Sequence, residues 1–168
     1  MAADATKADV ERVRIVEFRL GRERYGIGVG DVRGMVKMER STRVPRAPES
    51  IDGVIDIRGE ITAILDPRVH LDVPEPAAAP EDQRVLILDH GSDTGAVGLR
   101  VDRVVGVQEV EVNALSAADS VEELPAQAVE RGLITAVLPL EDDSDAEFIS
   151  ILDVDSLLDV STPEIDPR

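Results

Sequence analysis

The chain has 168 residues, a formal net charge of −17, no cysteine and only three aromatic residues, Phe18, Tyr25 and Phe148. That length suits one domain or two small subdomains sharing a core, and the lack of cysteine excludes disulfides, thiol chemistry and cysteine-ligated zinc. Strong acidity repels phosphate backbones and anionic lipid, and three aromatics make no base-stacking platform, so neither nucleic acid nor a membrane surface is expected as a partner.

Residues 1–12 lack the apolar core of a secretory signal and are expected to be disordered. No apolar run approaches the roughly 20 residues of a membrane span, so a cytoplasmic protein is expected. In Val16-Glu17-Phe18-Arg19-Leu20 every second residue is apolar, the pattern of a half-buried strand. Gly21 to Arg24 forms the turn, and Tyr25, Ile27 and Val29 alternate back, so residues 13–29 read as a hairpin. Met35 to Met38 is a further strand, and Pro45 and Pro48 mark a loop, Pro48 opening a short turn into Ile51.

Ser50 to Arg68, SIDGVIDIRGEITAILDPR, is the most informative stretch. Two apolar runs, Val54–Ile57 and Ile61–Leu65, are joined by Arg58-Gly59-Glu60. This is a tight strand–turn–strand unit with an arginine at the bend, which presents a surface and supplies no obvious chemistry. Pro67 to Leu71 is long enough for one helical turn. Val73 to Gln83 carries three prolines and reads as a linker.

Beyond it, Val85–Leu88 is a buried strand, His90–Gly95 a turn and Ala96–Val101 the returning strand. Val104 to Val112 continues in β character, with Gly106 placed for a bulge. Ala114–Arg131 is mixed, with one short helix. Leu133–Leu140 is a strand, Glu141–Glu147 an acidic loop and Phe148–Leu152 the last strand. In Asp153–Val160, Val154, Leu157 and Leu158 share one face of a short amphipathic helix.

The halves look duplicated. Gly26-Ile27 with Val32 and Gly34 returns 72 residues later as Gly98-Leu99 with Val104 and Gly106. Gly53-Val54-Ile55 returns as Gly132-Leu133-Ile134, and Ile64-Leu65-Asp66 as Ile151-Leu152-Asp153. Preserved order points to a repeated five-stranded unit, and short, closely spaced strands favour small barrels, which remove exposed sheet edges. The expected layout is one domain over 13–160: a first barrel over 13–72, a linker over 73–83, a second barrel over 84–152 and a helix over 153–160. Residues 161–168 form a tail.

Charge is uneven. Residues 1–70 hold 12 acids and 13 bases, whereas residues 71–168 hold 23 acids and 5 bases. The bases are 16 arginines against only Lys7 and Lys37. Excess acid with scarce lysine is the composition expected in a high-salt cytoplasm such as a halophilic archaeon's, where a screening length of about 3 Å at 1 M salt removes self-repulsion.

Enzymatic readings find little support. His70 and His90 have no second ligand or nucleophile nearby in sequence and read as surface residues; no G-x-S-x-G is present. Gly28-Val29-Gly30 begins like a dinucleotide fingerprint, but Arg33 occupies the place of its last glycine. Glu141, Asp142, Asp143, Asp145 and Glu147 suit calcium or magnesium by chemistry, yet lack the glycine and glutamate spacing of an EF-hand, so a solvated loop is favoured. A carboxylate-based metal-binding domain or small metal-dependent enzyme is the alternative function. No metal, cofactor or catalytic residue is expected.

Phe18-x-Leu20-Gly21 with Tyr25-Gly26-Ile27 and Val32, then Val44-Pro45 and Pro48, then GVIDIRG and ILDPR, resembles the CheW chemotaxis coupling domain. GLRVDRVVGV and the late ILDVDSLL extend the resemblance from Phe18 to Leu158. It implies an all-β fold of two five-stranded SH3-like or OB-like barrels around a common core. It also implies an adaptor without catalytic activity that couples chemoreceptors to the histidine kinase CheA. Carried over by position, the receptor contact would include Arg58 with Gly53 and Gly59, and the kinase contact Val32, Gly34 and Val107. The family's usual Asn of INLRG is Asp56 here, the Leu of VIDLR is Pro67 and the frequent Glu of VxEI is Gly34. The last change puts the detailed kinase interface in question. From the residues alone, Arg58 serves equally well as a partner contact or as an internal pair for Asp56, Glu60 or Asp66; the resemblance favours the partner.

Overall fold

β1 (Arg12–Leu20) and β2 (Glu23–Gly28) form the predicted first hairpin, closed by a turn in which Gly21 has φ +62. The computed structural model describes residues 10–73, 80–89, 95–140 and 148–161. There follow β3 (Val32–Lys37), β4 (Ile51–Ile57), β5 (Glu60–Leu65) and the single helical turn α1 (Arg68–Leu71). After the linker come β6 (Arg84–Leu88), β7 (Ala96–Val101), β8 (Arg103–Glu111) and the two-residue β9 (Ser116–Ala117). The chain then forms α2 (Ala126–Glu130), β10 (Ile134–Pro139), β11 (Phe148–Leu152) and α3 (Val154–Ser161). The fold is mostly β, with two sheets and short helices, one at the C-terminal end.

The sheets do not divide at the linker. One has the order β8-β1-β2-β11-β10-β9 and the other β3-β6-β7-β5-β4. The strand allocation expected from a 13–72 and 84–152 split is therefore corrected: each half lends its leading hairpin to the other half's sheet. β2 enters the first sheet by parallel pairing with β11, and β7 enters the second by parallel pairing with β5. Parallel neighbours need a long crossover, so the exchange is invisible to local patterns.

The duplication extends to register. Ile151 faces Gly26 as Ile64 faces Gly98. Val104 and Gly106 face Phe18 and Glu17 around a bulge at Val105, as Val32 and Gly34 face Leu88 and Ile87 around a bulge at Arg33. Thr42 bridges Val54 on the outer side of β4, and Ser116 pairs with Val137 on the outer side of β10. One of the three sequence matches shifts. Gly53 faces Ile64 and Ala136 faces Ile151, so Ala136 and not Gly132 is the counterpart of Gly53.

β1 is interior to its sheet, which explains why Ile15 and Glu17 are buried as well as Val16, Phe18 and Leu20. The half-buried strand expected from alternation is buried on both faces along this stretch. One face meets a small cluster of Ile15, Val110 and Ile149; the other joins the main core. That core gathers Phe18, Leu20, Ile27, Leu65, Leu86, Leu88, Leu99, Leu133 and Leu157 from both sheets and α3. A third cluster, Ile55, Ile64 and Val85, fills the second sheet's own interior. Val154 and Leu157 are buried and Leu158 packs beside them, so the amphipathic face of α3 holds.

Candidate protein-binding groove

The β4–β5 hairpin turns on two residues of positive φ, Arg58 (+52) and Gly59 (+87), the geometry that suits the right-handed twist of paired strands. Asp56 steadies it: its Oδ1 accepts the Gly59 N–H at 2.8 Å. An arginine in the left-handed region costs about 1–2 kcal/mol. No ion pair of the guanidinium among the described residues repays it. Asp56 is occupied by the turn, Glu60 lies 3.9 Å from Arg33 and Asp66 holds Arg68 at 2.9 Å. Arg58 is exposed and forms no ion pair among the described residues, which removes its expected internal partners.

A groove of about 470 Å³ runs between β3 and this hairpin. Arg33, Gly34, Met35 and Val36 form one wall, Ile57, Arg58, Glu60 and Thr62 the other, and Ile87 contributes to the lining. Its lining is mixed: Met35, Val36, Ile57 and Ile87 are apolar, and Arg33, Arg58, Glu60 and Thr62 are charged or polar. Arg33 is the extra residue of the β3 bulge, a device that re-aims a side chain. A Cβ on Gly34 would meet nothing within 4 Å, so the missing side chain leaves the groove wide where the family pattern has glutamate.

The structure thus brings Arg58, Gly59 and Gly34 to one place and separates the rest. Gly53 is buried. A Cβ there would lie 2.6 Å from the Thr42 carbonyl oxygen and 2.9 Å from Ser41, so the backbone lying close to this glycine is the chain's own. Val32 is half-buried against the main core. Val107 belongs to the other sheet, on β8, 53% exposed; its counterpart in the duplication is Met35, 51% exposed. Met35 also borders a second cavity of about 610 Å³, shared with Asp82, Arg84, Asp102, Arg103 and Val104, where the edge strands of the two sheets converge.

Sequence reasoning missed Arg33 and Ile61. Arg33 stands immediately before the glycine of a repeated Val-x-Gly block, a signal for a bulge. Ile61, 61% exposed beside the turn, looked like a core residue because it opens an apolar run.

Charge is organised elsewhere too. Arg68 is buried between Asp66 and Asp102, and Asp102 Oδ2 also accepts the Gly21 N–H at 2.5 Å. Glu17 and Arg24 form a second buried pair, with Gln108 donating to Glu17 at 2.6 Å. Asp31 lies near Asp155, Asp153 and Asp89; burial first, then these carboxylates, raise its pKa above the ordinary carboxylate value. His70 is half-buried, not the surface residue expected, and its pKa is lowered by burial and by Arg131. Its Nε2 has no hydrogen-bond partner among the described residues.

Among the described residues no group of three or more His, Cys, Asp or Glu is placed to hold a metal ion, and no helix is long and apolar enough to cross a membrane. The acidic stretch 141–147 and His90 lie outside the described residues.

Residues 14–162 match the family model of the CheW-like domain. The chain is 29% identical over 99 residues to the chemotaxis protein CheW of Bacillus subtilis, covering 59% of this chain and 64% of that protein. It is 27% identical over 143 residues to that of Rhizobium meliloti, covering 85% of each. The matched region spans just under two thirds of the Bacillus protein's length. Among solved structures, scaffolding protein TtCheW from Thermoanaerobacter tengcongensis superimposes with a TM-score of 0.73 at 26% identity, over 92% of this chain and 98% of that one. A family match over nearly the whole chain, the two interleaved sheets and this structural likeness agree: the chain belongs to the CheW-like domain family.

Proposed function

We propose that this protein is a non-enzymatic chemotaxis adaptor of the cytoplasm that couples the cytoplasmic hairpin of chemoreceptors to a CheA-type histidine kinase. The observation that carries the proposal is Arg58: exposed, without an ion pair among the described residues, and held over a groove of mixed polarity by a turn that strains its backbone. A guanidinium so placed forks onto a carboxylate or onto the free carbonyls ending a helix. Met35, Val36, Ile57 and Ile87 in the lining offer apolar contact to the ridge of an amphipathic helix, with the polar groups around them meeting its flanks. In this assignment Arg58 and Gly59 meet the receptor, with Gly53 supporting the hairpin from behind. Val32, Gly34 and Val107 serve the kinase through the two edge strands.

The test is a pull-down with a receptor hairpin fragment and, separately, with the kinase. Arg58→Ala is expected to weaken receptor capture roughly tenfold or more, the equivalent of one charge-assisted hydrogen bond of about 1.5–3 kcal/mol. Its melting temperature should change little, because alanine carries the same left-handed backbone cost and the guanidinium has no ion pair among the described residues to lose. Unchanged receptor capture would remove Arg58 from the interface. Substitution of Val107 by a charged residue is expected to spare receptor capture and reduce kinase capture.

A further inference from the structure

The groove beside Arg58 already contains a carboxylate. Glu60 Oε1 lies 3.9 Å from Arg33 Nη2, and the two side chains stand on facing walls, one on β5 and the other on β3. These strands are not neighbours: the order β3-β6-β7-β5-β4 places two others between them, so the pair spans the groove and not a ladder. Both side chains are about half exposed, and neither forms another ion pair among the described residues. Two other arginines of this half of the fold sit closer to their acids, Arg68 to Asp66 at 2.9 Å and Arg100 to Asp52 at 3.0 Å, and both are hydrogen-bonded. At 3.9 Å Arg33 and Glu60 attract without a hydrogen bond, which leaves the directional donors of the guanidinium unspent. The backbone keeps them apart, since the β3 bulge aims Arg33 and the last rung of the hairpin, opposite Ile57, fixes Glu60.

We propose that Arg33 is a second partner-contact residue and that Glu60 is its built-in competitor. In the free protein Glu60 neutralises Arg33 loosely. On docking, a carboxylate on the flank of the receptor helix takes the guanidinium in a short fork, and Glu60 turns back to solvent. Arg33 and Arg58 then grip the helix from the two walls, over the apolar contacts of Met35, Val36, Ile57 and Ile87. Glu60 itself indicates the chemistry, because it shows which group the space before Arg33 receives. It also sets the selection: a helix that lacks a placed acid covers the Arg33–Glu60 pair and desolvates it without repayment. This inference rests on the adaptor role proposed above and names the group that its receptor contact selects.

The test is capture of a receptor hairpin fragment by the full chain as wild type, Glu60→Gln, Arg33→Gln and the double variant. Thermal melts of all four should agree closely, because an exposed, loose pair contributes little to stability. Glu60→Gln is expected to tighten capture about two- to fivefold, the range that an exposed ion pair releases. Arg33→Gln should weaken it roughly tenfold, as loss of a charge-assisted hydrogen bond does. In the Arg33→Gln background, Glu60→Gln should change nothing, since the competitor acts only through Arg33. A hairpin fragment of unchanged helicity, with its outward glutamates replaced by glutamine, should be captured equally by wild type and Arg33→Gln. Unchanged or weaker capture by Glu60→Gln would overturn the inference. So would a gain that persists without Arg33, which would mean general repulsion between acids, or an Arg33→Gln loss that persists with the glutamine fragment. Arg58→Ala, run alongside, separates the two readings. Where it weakens capture while Glu60→Gln changes nothing, the receptor contact stands and the competitor role falls; where Arg58→Ala and Arg33→Gln both leave capture unchanged, both readings fall.

Discussion

Asp31 lies in the short turn between β2 and β3, where Asp155, Asp153 and Asp89 add to the effect of burial. Its pKa is raised, so ionised Asp31 opposes folding. The penalty is full at neutral pH, diminishes as pH falls through the folded-state pKa, and vanishes below the unfolded value, where both states are protonated. Asp31→Asn is therefore expected to raise the melting temperature at pH 7 and to flatten its dependence on salt, as thermal melts across a salt series would show. A lower melting temperature would mean that Asp31 has a stabilising partner outside the described residues. Arg58 was legible because a lone arginine between two apolar runs marks a bend. The different meanings of Gly53 and Gly59 were not. Both have positive φ, but Gly53 is also crowded by the Thr42 carbonyl whereas a Cβ on Gly59 would meet open space, and the residue letter is the same in both cases.

Single elements followed local rules closely. Hairpins β1–β2, β4–β5 and β6–β7 appear where alternation and turn residues placed them, and α3 follows its apolar face. β9 went unseen, since two residues support no periodicity. α1 shows how a short element gains importance from tertiary contacts. Four residues long, it delivers Arg68 to Asp102, and Asp102 holds the β1–β2 turn through Gly21. Arg68→Ala leaves a buried carboxylate without its cation and is expected to cost about 3–5 kcal/mol in denaturant melts. Arg68→Met combined with Asp102→Asn should cost less than the single change, because it leaves no unpaired charge. Equal losses would show that packing, and not the ion pair, holds the turn.

At the scale of the molecule, the exchanged hairpins bind the halves together more firmly than a linker would. β1 and β2 lie within the sheet completed by β8, β9, β10 and β11, and β6 and β7 within the one completed by β3, β4 and β5. Fragments 1–78 and 79–168 should each be unfolded alone by circular dichroism and should regain β structure when mixed. An independently folded first fragment would contradict the pairing. Strand positions, hairpins, the duplication and the exposed bend were all contained in the residue order, because alternation, turn chemistry and repeated motifs are local properties. Which hairpin joined which sheet was settled only by three-dimensional packing: parallel pairing between strands more than thirty residues apart leaves no local trace. The same packing placed Gly34 beside Arg58 in one groove and buried Gly53, since closeness across a sheet depends on register and not on distance along the chain.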